Sequence, residues 1–259
     1  MTESVVFHKM HGIGNDFVVI DRRRNPVNFS TSQIRYLAHR HKGIGFDQMI
    51  LIDESNDDSC DASYSFFNPD GSQAEQCGNG QRCISYYLHS LNPEKKFFCV
   101  DGLAGKITSL INEDKTVAVN MGKMNSCKSI TIDNSKLYEA NFGNPHLILA
   151  VDDVGKSDLP ELQKKFTQDY SQGINFEIVE ILNNHEIKLR VHERGTGETL
   201  ACGSGACAAF YALFMANQLN NKVKVMLSGG DLVVEYDAST QTINLTGSAT
   251  HVFTGEINL

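Results

Sequence analysis

The feature that most limits how this chain can fold is that it repeats itself. CGNGQRC begins at Cys77, and ACGSGAC places Cys202 125 residues later. Gly14-Asn15 in HGIGNDF matches Gly143-Asn144 in NFGNPH at an offset of 129, and Gly45-Phe46-Asp47 matches Gly173-Ile174-Asn175 at 128. Three landmarks in one order at nearly one offset point to a duplicated domain. The period is too long for a solenoid.

Each half reads as strands wrapped around one apolar helix. VVFHKM, FVVIDR, QMILID, SYSFFN, KKFFCV, KITSLI and TVAVNM have strand character, and NPDGS is a turn. STSQIRYLAHRHKG reads as a helix, with Ser30 or Thr31 as N-cap and Gly43 as its stop. A cysteine helix follows from about Gly78 to Ser90. The second half repeats the plan with KSITID, HLILAV, a helix near DLPELQKKFTQ and the hairpin NFEIVEIL-NN-HEIKLRVHE. Its cysteine helix runs from about Gly203 to Asn217, and KVKVML, LVVEYD and TINLTG close it. ACAAFYALFMA is apolar all round, so that helix belongs in a core. The expected fold class is α/β (α+β), with two pseudo-symmetric domains. Each is a mostly antiparallel sheet or barrel around a central apolar helix, and the boundary falls near MGKMNSC.

A helix start leaves N–H groups without intrahelical acceptors and carries partial positive charge. A cysteine there gains thiolate character, and glycines let a carboxylate approach the backbone closely. Two such starts facing one carboxylate would put a thiol on each side of its α-carbon. That arrangement suits inversion of a stereocentre, one thiolate taking the α-proton and the other thiol supplying one to the opposite face. The N–H groups would stabilise the developing enediolate.

Composition excludes other classes. The 259 residues carry 31 acidic and 23 basic side chains, a net charge of −8. The only basic cluster is Arg22-Arg23-Arg24, so nucleic acid is not an expected partner. No apolar run approaches the roughly 18 residues of a membrane span, and MTESVVFHKM lacks the order of a signal peptide. The expected location is cytoplasmic. The seven cysteines are an odd number without a CxxC pair, which argues against a disulfide framework and a structural zinc site. Cys60, Cys99 and Cys127 read as small buried hydrophobes, as do Cys83 and Cys207.

HGIGNDF, FNPDGSQAEQCGNGQRC, GNPH and ERGTGETLACGSGAC together resemble the diaminopimelate epimerase family, from about residue 7 to the C-terminus. The resemblance implies a cofactor-independent, metal-free isomerase that interconverts LL- and meso-2,6-diaminopimelate in lysine and peptidoglycan precursor synthesis. It also implies a homodimer. The C-terminal strand would return to the first domain, giving residues 1–121 plus 249–259 and residues 122–248. Carried over by position, Cys77 and Cys202 are the acid–base pair, assisted by His146 and Glu193. The backbones of Gly78-Asn79 and Gly203-Ser204 would hold the reacting carboxylate, while Asn15 and Gln48 line the pocket. Asn68, Asn144, Asn175 and Arg194 would grip the distal end, where Glu193 can also receive an ammonium. An arginine suits a carboxylate there because it binds in two-pronged fashion. On their own, Asn68 and Asn144 read as turn formers, His146 as a turn residue and Glu193 as a solvated strand end. The chain departs from the family pattern at Gln81 and Thr196, where alanine is usual, and at Ser204, where threonine is also common.

Three other readings stay open. Proline, hydroxyproline or histidine racemases use the same thiol pair, and of these a histidine racemase is the hardest to separate by sequence. A phosphate-binding module lacks the GxxxxGK[ST] motif. A thiol redox protein would join Cys77 to Cys202, whereas in an epimerase that bond inactivates.

Overall fold

The structure is a computed structural model that describes residues 4–74 and 76–259. The chain divides into two compact units, Met1–Val119 with Gly247–Leu259, and Asn120–Thr246. The first runs β1 (Ser4–Gly12), β2 (Asn15–Asp21), α1 (Thr31–Ala38), β3 (Gln48–Asp53), β4 (Ala62–Phe67), β5 (Gln73–Ala74), α2 (Gly78–Leu91), β6 (Phe97–Gly102), β7 (Gly105–Ile111) and β8 (Val117–Gly122). The second opens with β9 (Ser126–Ile132). It continues β10 (Ser135–Asn141), β11 (Pro145–Ala150), α3 (Leu159–Thr167), β12 (Asn175–Asn183), β13 (Glu186–Glu193), β14 (Gly197–Thr199), α4 (Gly203–Met215), β15 (Lys222–Leu227), β16 (Gly230–Asp237) and β17 (Thr242–Gly247). β18 (Thr250–Asn258) belongs to the first unit and pairs antiparallel with β1.

The duplication extends to strand pairing. β1–β2 and β10–β11 are antiparallel hairpins. β2 runs parallel to β3 with Phe17 opposite Gln48, and β11 runs parallel to β12 with His146 opposite Asn175. Parallel neighbours need a crossover, which α1 and α3 supply. β3–β4 and β12–β13 are antiparallel, and β4–β6 and β13–β15 are parallel. On its outer side β1 receives β18, as β10 receives β9. The repeated glycines carry matching left-handed backbones: Gly14 and Gly143 have φ of 91° and 86°, Gly45 and Gly173 have 75° and 70°. A side chain at such φ is strained, so glycine recurs at each turn.

Each unit covers its central strands on both faces. Val18, Ile20, Met49 and Leu51 join Ile34 and Leu37 of α1 in one core. Leu147, Phe176 and Ile178 do the same with Leu159 and Phe166 of α3. The opposite faces meet the cysteine helices. α2 lies against β1, β2, β3, β7 and β18; α4 lies against β9, β10, β11, β12, β15 and β16. A strand covered on both sides needs a near-continuous apolar run, as in FVVI and FEIV. As its composition requires, α4 buries Ala206 through Phe210, Ala212 and Leu213.

Besides the short strands β5 and β14, which the sequence reading lacks, two elements differ from it. α1 ends at Ala38 rather than near Gly43. Its buried residues are Ile34, Leu37 and Ala38, and the next turn, HRHK, has no apolar side chain to continue that face. The returning chain satisfies the helix end instead, as Ile44 and Gly45 N–H both donate to Leu37 C=O at 2.8 and 2.9 Å. Strand β10 is absent from the sequence reading. Its SKLYEAN has little strand character, and pairing with β9 and β11 on either side makes it a strand. Among the described residues, no helix is long and apolar enough to cross a membrane.

Candidate active site

In the second unit, Cys202 is the N-cap of α4, with extended backbone at φ −127° and ψ 112°. Its sulfur accepts from Gly205 N–H at 3.4 Å and lies 3.5 Å from Ser204 Oγ. Gly203 and Ser204 form the first turn. Glu193 ends β13, and Thr199 Oγ donates to its carboxylate at 2.5 Å. β13 and β14 pair antiparallel, so Glu193 faces Gly197 just before the cysteine loop.

His146 is fully buried on β11. Its Nδ1 lies 2.6 Å from Glu177 Oε1 and its Nε2 lies 2.9 Å from Asn144 Oδ1. A carboxylate only accepts, so Nδ1 carries a hydrogen. Glu177 is also fully buried, and its Oε2 has no hydrogen-bond partner among the described residues. The carboxylate sits at the start of α4. A Cβ on Gly205 would come within 2.7 Å of Glu177 Oε1 and 3.3 Å of Cys202 Sγ. A buried carboxylate is tolerable only when paired, and here His146 and the positive helix end supply that pairing.

Sequence reasoning missed Glu177. The signal was present: strand side chains alternate, so Asn175, Glu177 and Val179 share the face opposite Phe176 and Ile178. A glutamate on a strand flanked by FEIV, two residues beyond a candidate asparagine, marks a polar spot inside an apolar wall.

Electrostatics at Cys202 oppose the expectation drawn from helix starts. Burial, then the Glu193 and Glu177 carboxylates, push its thiol well above the ordinary cysteine range. These terms outweigh the Ser204 and Gly205 contacts that favour thiolate. Cys202 therefore holds its proton at neutral pH. Burial likewise raises the Glu193 carboxyl, with Glu177 adding to it, against relief from Thr199 and Cys202.

Asn175 and Arg194 lie beside this cluster. The Asn175 amide bridges two backbones, accepting from Arg194 N–H at 2.9 Å and donating to Pro145 C=O at 3.1 Å. It pins the ends of β11 and β13 together and is occupied by protein. The Arg194 side chain runs over Gly173, whose absent Cβ would stand 2.9 Å from Arg194 Cγ. Arg194 is exposed, and among the described residues its guanidinium makes no ion pair.

In the first unit, Cys77 caps α2 with nearly the same backbone, φ −146° and ψ 112°. Its thiol donates toward Asn15 Oδ1 at 3.5 Å, and Asn79 Nδ2 donates to the same oxygen at 3.2 Å. Asn15 Nδ2 donates to Asp47 at 3.0 Å, and Arg82 Nη2 donates to Asn79 Oδ1 at 2.9 Å. Gly78 and Asn79 are buried in the first turn. Gln48 and Asn68 pair separately, with Gln48 Nε2 donating to Asn68 Oδ1 at 3.1 Å. Asn68 also donates to Ser72 Oγ at 3.1 Å, as a turn residue does. Gln81 is fully buried beside Tyr64. Neither the Gln81 amide nor the Tyr64 hydroxyl has a hydrogen bond of ordinary geometry among the described residues.

Each unit thus presents a cysteine at a glycine-rich helix start amid buried polar groups. Such a set can hold a carboxylate on backbone N–H groups and exchange a proton through sulfur. Comparison with solved structures finds the same fold. The chain is similar to a phenazine biosynthesis protein of the PhzF family from Bacillus anthracis, at 15% identity, TM-score 0.74 and 99% coverage of each chain. It is also similar to a hydroxyproline epimerase from Agrobacterium vitis with bound trans-4-hydroxy-L-proline, at 12% identity and TM-score 0.69, covering 100% of this chain and 94% of that one. A probable proline racemase from Agrobacterium radiobacter matches at 14% identity and TM-score 0.69, over 98% and 93%. At these identities the likeness speaks to fold alone. A family model described as diaminopimelate epimerase matches residues 7–127 and 138–252, spanning both cysteine motifs. The chain belongs to the diaminopimelate epimerase family, and with it to the isomerases.

Proposed function

We propose that this chain is a two-base epimerase that inverts one α-carbon of 2,6-diaminopimelate. The observation that carries the substrate is Arg194, an exposed guanidinium without an ion-pair partner among the described residues, one residue from Glu193. A substrate with a second amino-acid end supplies both complements, a carboxylate for Arg194 and an ammonium for Glu193. The N–H groups of Gly78-Asn79 and Gly203-Ser204 receive the reacting carboxylate and stabilise its enediolate form. In the direction that starts with Cys202 protonated, Cys202 is the acid and Cys77 thiolate the base; in the other direction the roles exchange. The α-proton ends on Cys77 and the Cys202 proton on the opposite face of the carbon, which leaves a Cys202 thiolate ready for the reverse direction; His146, held by Glu177, assists by position.

Proton NMR of LL-2,6-diaminopimelate in deuterated buffer with reduced protein tests the reading. Loss of the α-proton signal with growth of the meso isomer is the expected result. Cys77→Ala and Cys202→Ala variants should each abolish turnover, and full activity in either sinks the two-base mechanism.

A second reading is a racemase or epimerase of another amino acid through the same thiols. It is favoured by fold likeness to a hydroxyproline epimerase and a proline racemase. Exchange at the α-carbon of histidine or hydroxyproline, with none in diaminopimelate, would select it.

A further inference from the structure

Away from the helix starts, two thiols of the first unit meet. Cys60 precedes β4 and Cys99 lies in β6, and their sulfurs are 2.8 Å apart. That separation is longer than the ~2.05 Å of a disulfide bond and shorter than the ~3.5–4.0 Å of ordinary non-bonded carbon contacts. The backbones around them are pinned. β4 and β6 run parallel with Ala62 opposite Val100. Asp61 N–H donates to Cys99 C=O at 2.7 Å, and Cys99 N–H donates to the Asp61 carboxylate at 3.0 Å. These bonds hold the two sulfurs against each other.

The two thiols differ in access. Cys60 is half-exposed, and Cys99 is 9% exposed. Burial and the neighbouring Cys60 sulfur push the Cys99 thiol up to about 12. Lys106 lies beside the pair, held by Asp57 and by Ser59 Oγ at 3.0 Å, and its ammonium offsets part of the rise at Cys99. This is an accessible attacking sulfur next to a buried resolving one.

We propose that Cys60 and Cys99 are a reversible disulfide site, oxidised by a small-molecule disulfide such as oxidised glutathione. Cys60 thiolate attacks one sulfur of the oxidant and expels one thiolate, leaving a mixed disulfide. Cys99 sulfur then attacks Cys60 Sγ, the mixed bond breaks, and the second thiolate leaves. Two protein thiols lose two protons and two electrons, and the oxidant takes up both as two thiols. The bond closes the segment that contains Asn68, Cys77 and α2. It staples β4 to β6 and constrains the unfolded chain. Its formation does not depend on which substrate the enzyme takes.

The test equilibrates reduced protein against oxidised and reduced glutathione, then quenches in acid, alkylates under denaturant and maps peptides by mass. The expected product joins the Cys60 and Cys99 peptides, is two hydrogens lighter than the pair, and is reversed by dithiothreitol. In a Cys77→Ser/Cys202→Ser background the oxidised form should melt higher by ~10 °C. A Cys99→Ser variant should retain glutathione on Cys60. Separate alkylation of Cys60 and Cys99 across the whole oxidant range, or their joining to other cysteines, would overturn the site. An unchanged melting temperature in the cross-linked form would overturn the staple.

Discussion

Single side chains decide the chemistry. Glu177 holds His146 at 2.6 Å inside the protein, so removing its carboxylate leaves the buried His146 Nδ1 without a partner. Glu177→Ala should lower unfolding free energy by about 3–5 kcal/mol in urea titration. Glu177→Gln keeps a hydrogen-bond acceptor and should fold, with kcat down about 10- to 100-fold. Unchanged kcat with an unchanged pH–rate profile would remove Glu177 from the site. Arg194 acts differently, because its guanidinium is exposed and its stem rests on Gly173. Arg194→Lys keeps the charge and loses the fork. KM for a substrate with a distal carboxylate should rise about tenfold or more, with kcat nearly unchanged. An equal loss for substrates lacking that carboxylate would show that Arg194 does not read the distal end. Glycine-rich helix starts pointed to the cysteines, and the family resemblance pointed to Arg194. Sequence pattern hid Glu177, because one acidic residue in an apolar run gives no sign of what lies opposite it.

Helices show two ways of being stable. α1 is short and half-exposed, and it rests on a capping box in which Ser30 accepts from Gln33 N–H while Gln33 accepts from Ser30 N–H. Ser30→Ala should cost about 1 kcal/mol. α4 rests on burial: Phe210 is fully enclosed among strands and stacks on Phe214 at 5.7 Å. Phe210→Ala should cost about 3–5 kcal/mol through lost contacts and a cavity. Urea midpoints for both variants, at constant slope, check the ordering, and a larger loss at Ser30 would reverse it. The same contrast explains what was readable. α3 carries its Asp158 cap and its periodicity in its own residues, and the cysteine helices carry glycine-rich starts followed by apolar residues. β10 has no such signal, and becomes a strand through hydrogen bonds to β9 and β11.

For the molecule as a whole, acid is the revealing stress. Asp16 sits on β2 between Lys9 and Arg40, which also reaches Asp47 at 2.7 Å. Burial pushes the Asp16 carboxyl up, but Arg40 and Lys9 outweigh burial and hold it at about 2, below its usual 3.8. A depressed folded-state value means that the ionised form stabilises the fold. That contribution is complete above about pH 4 and is lost as pH falls toward 2. It is worth at most about 2 kcal/mol, and the Arg40 side, being exposed, is screened by salt. Urea midpoints measured across that window should fall with pH. In Asp16→Asn that part of the fall should disappear, and an identical slope would assign it to other carboxylates.

The sequence alone determined whatever depends on neighbours along the chain. The duplication was written in recurring motifs, and the structure repeats it in the glycine φ angles and in strand pairing. The placement of Cys77 and Cys202 at helix starts was equally local, because glycines and an apolar run suffice to begin a buried helix there. The tertiary structure alone decided what depends on groups brought together through space. Cys202 keeps its proton because burial and two carboxylates from other strands outweigh its own helix. Cys60 and Cys99, read as separate buried hydrophobes, meet because β4 and β6 lie side by side. Charge and burial act across distances that sequence order does not record, and so the state of each thiol had to come from the fold.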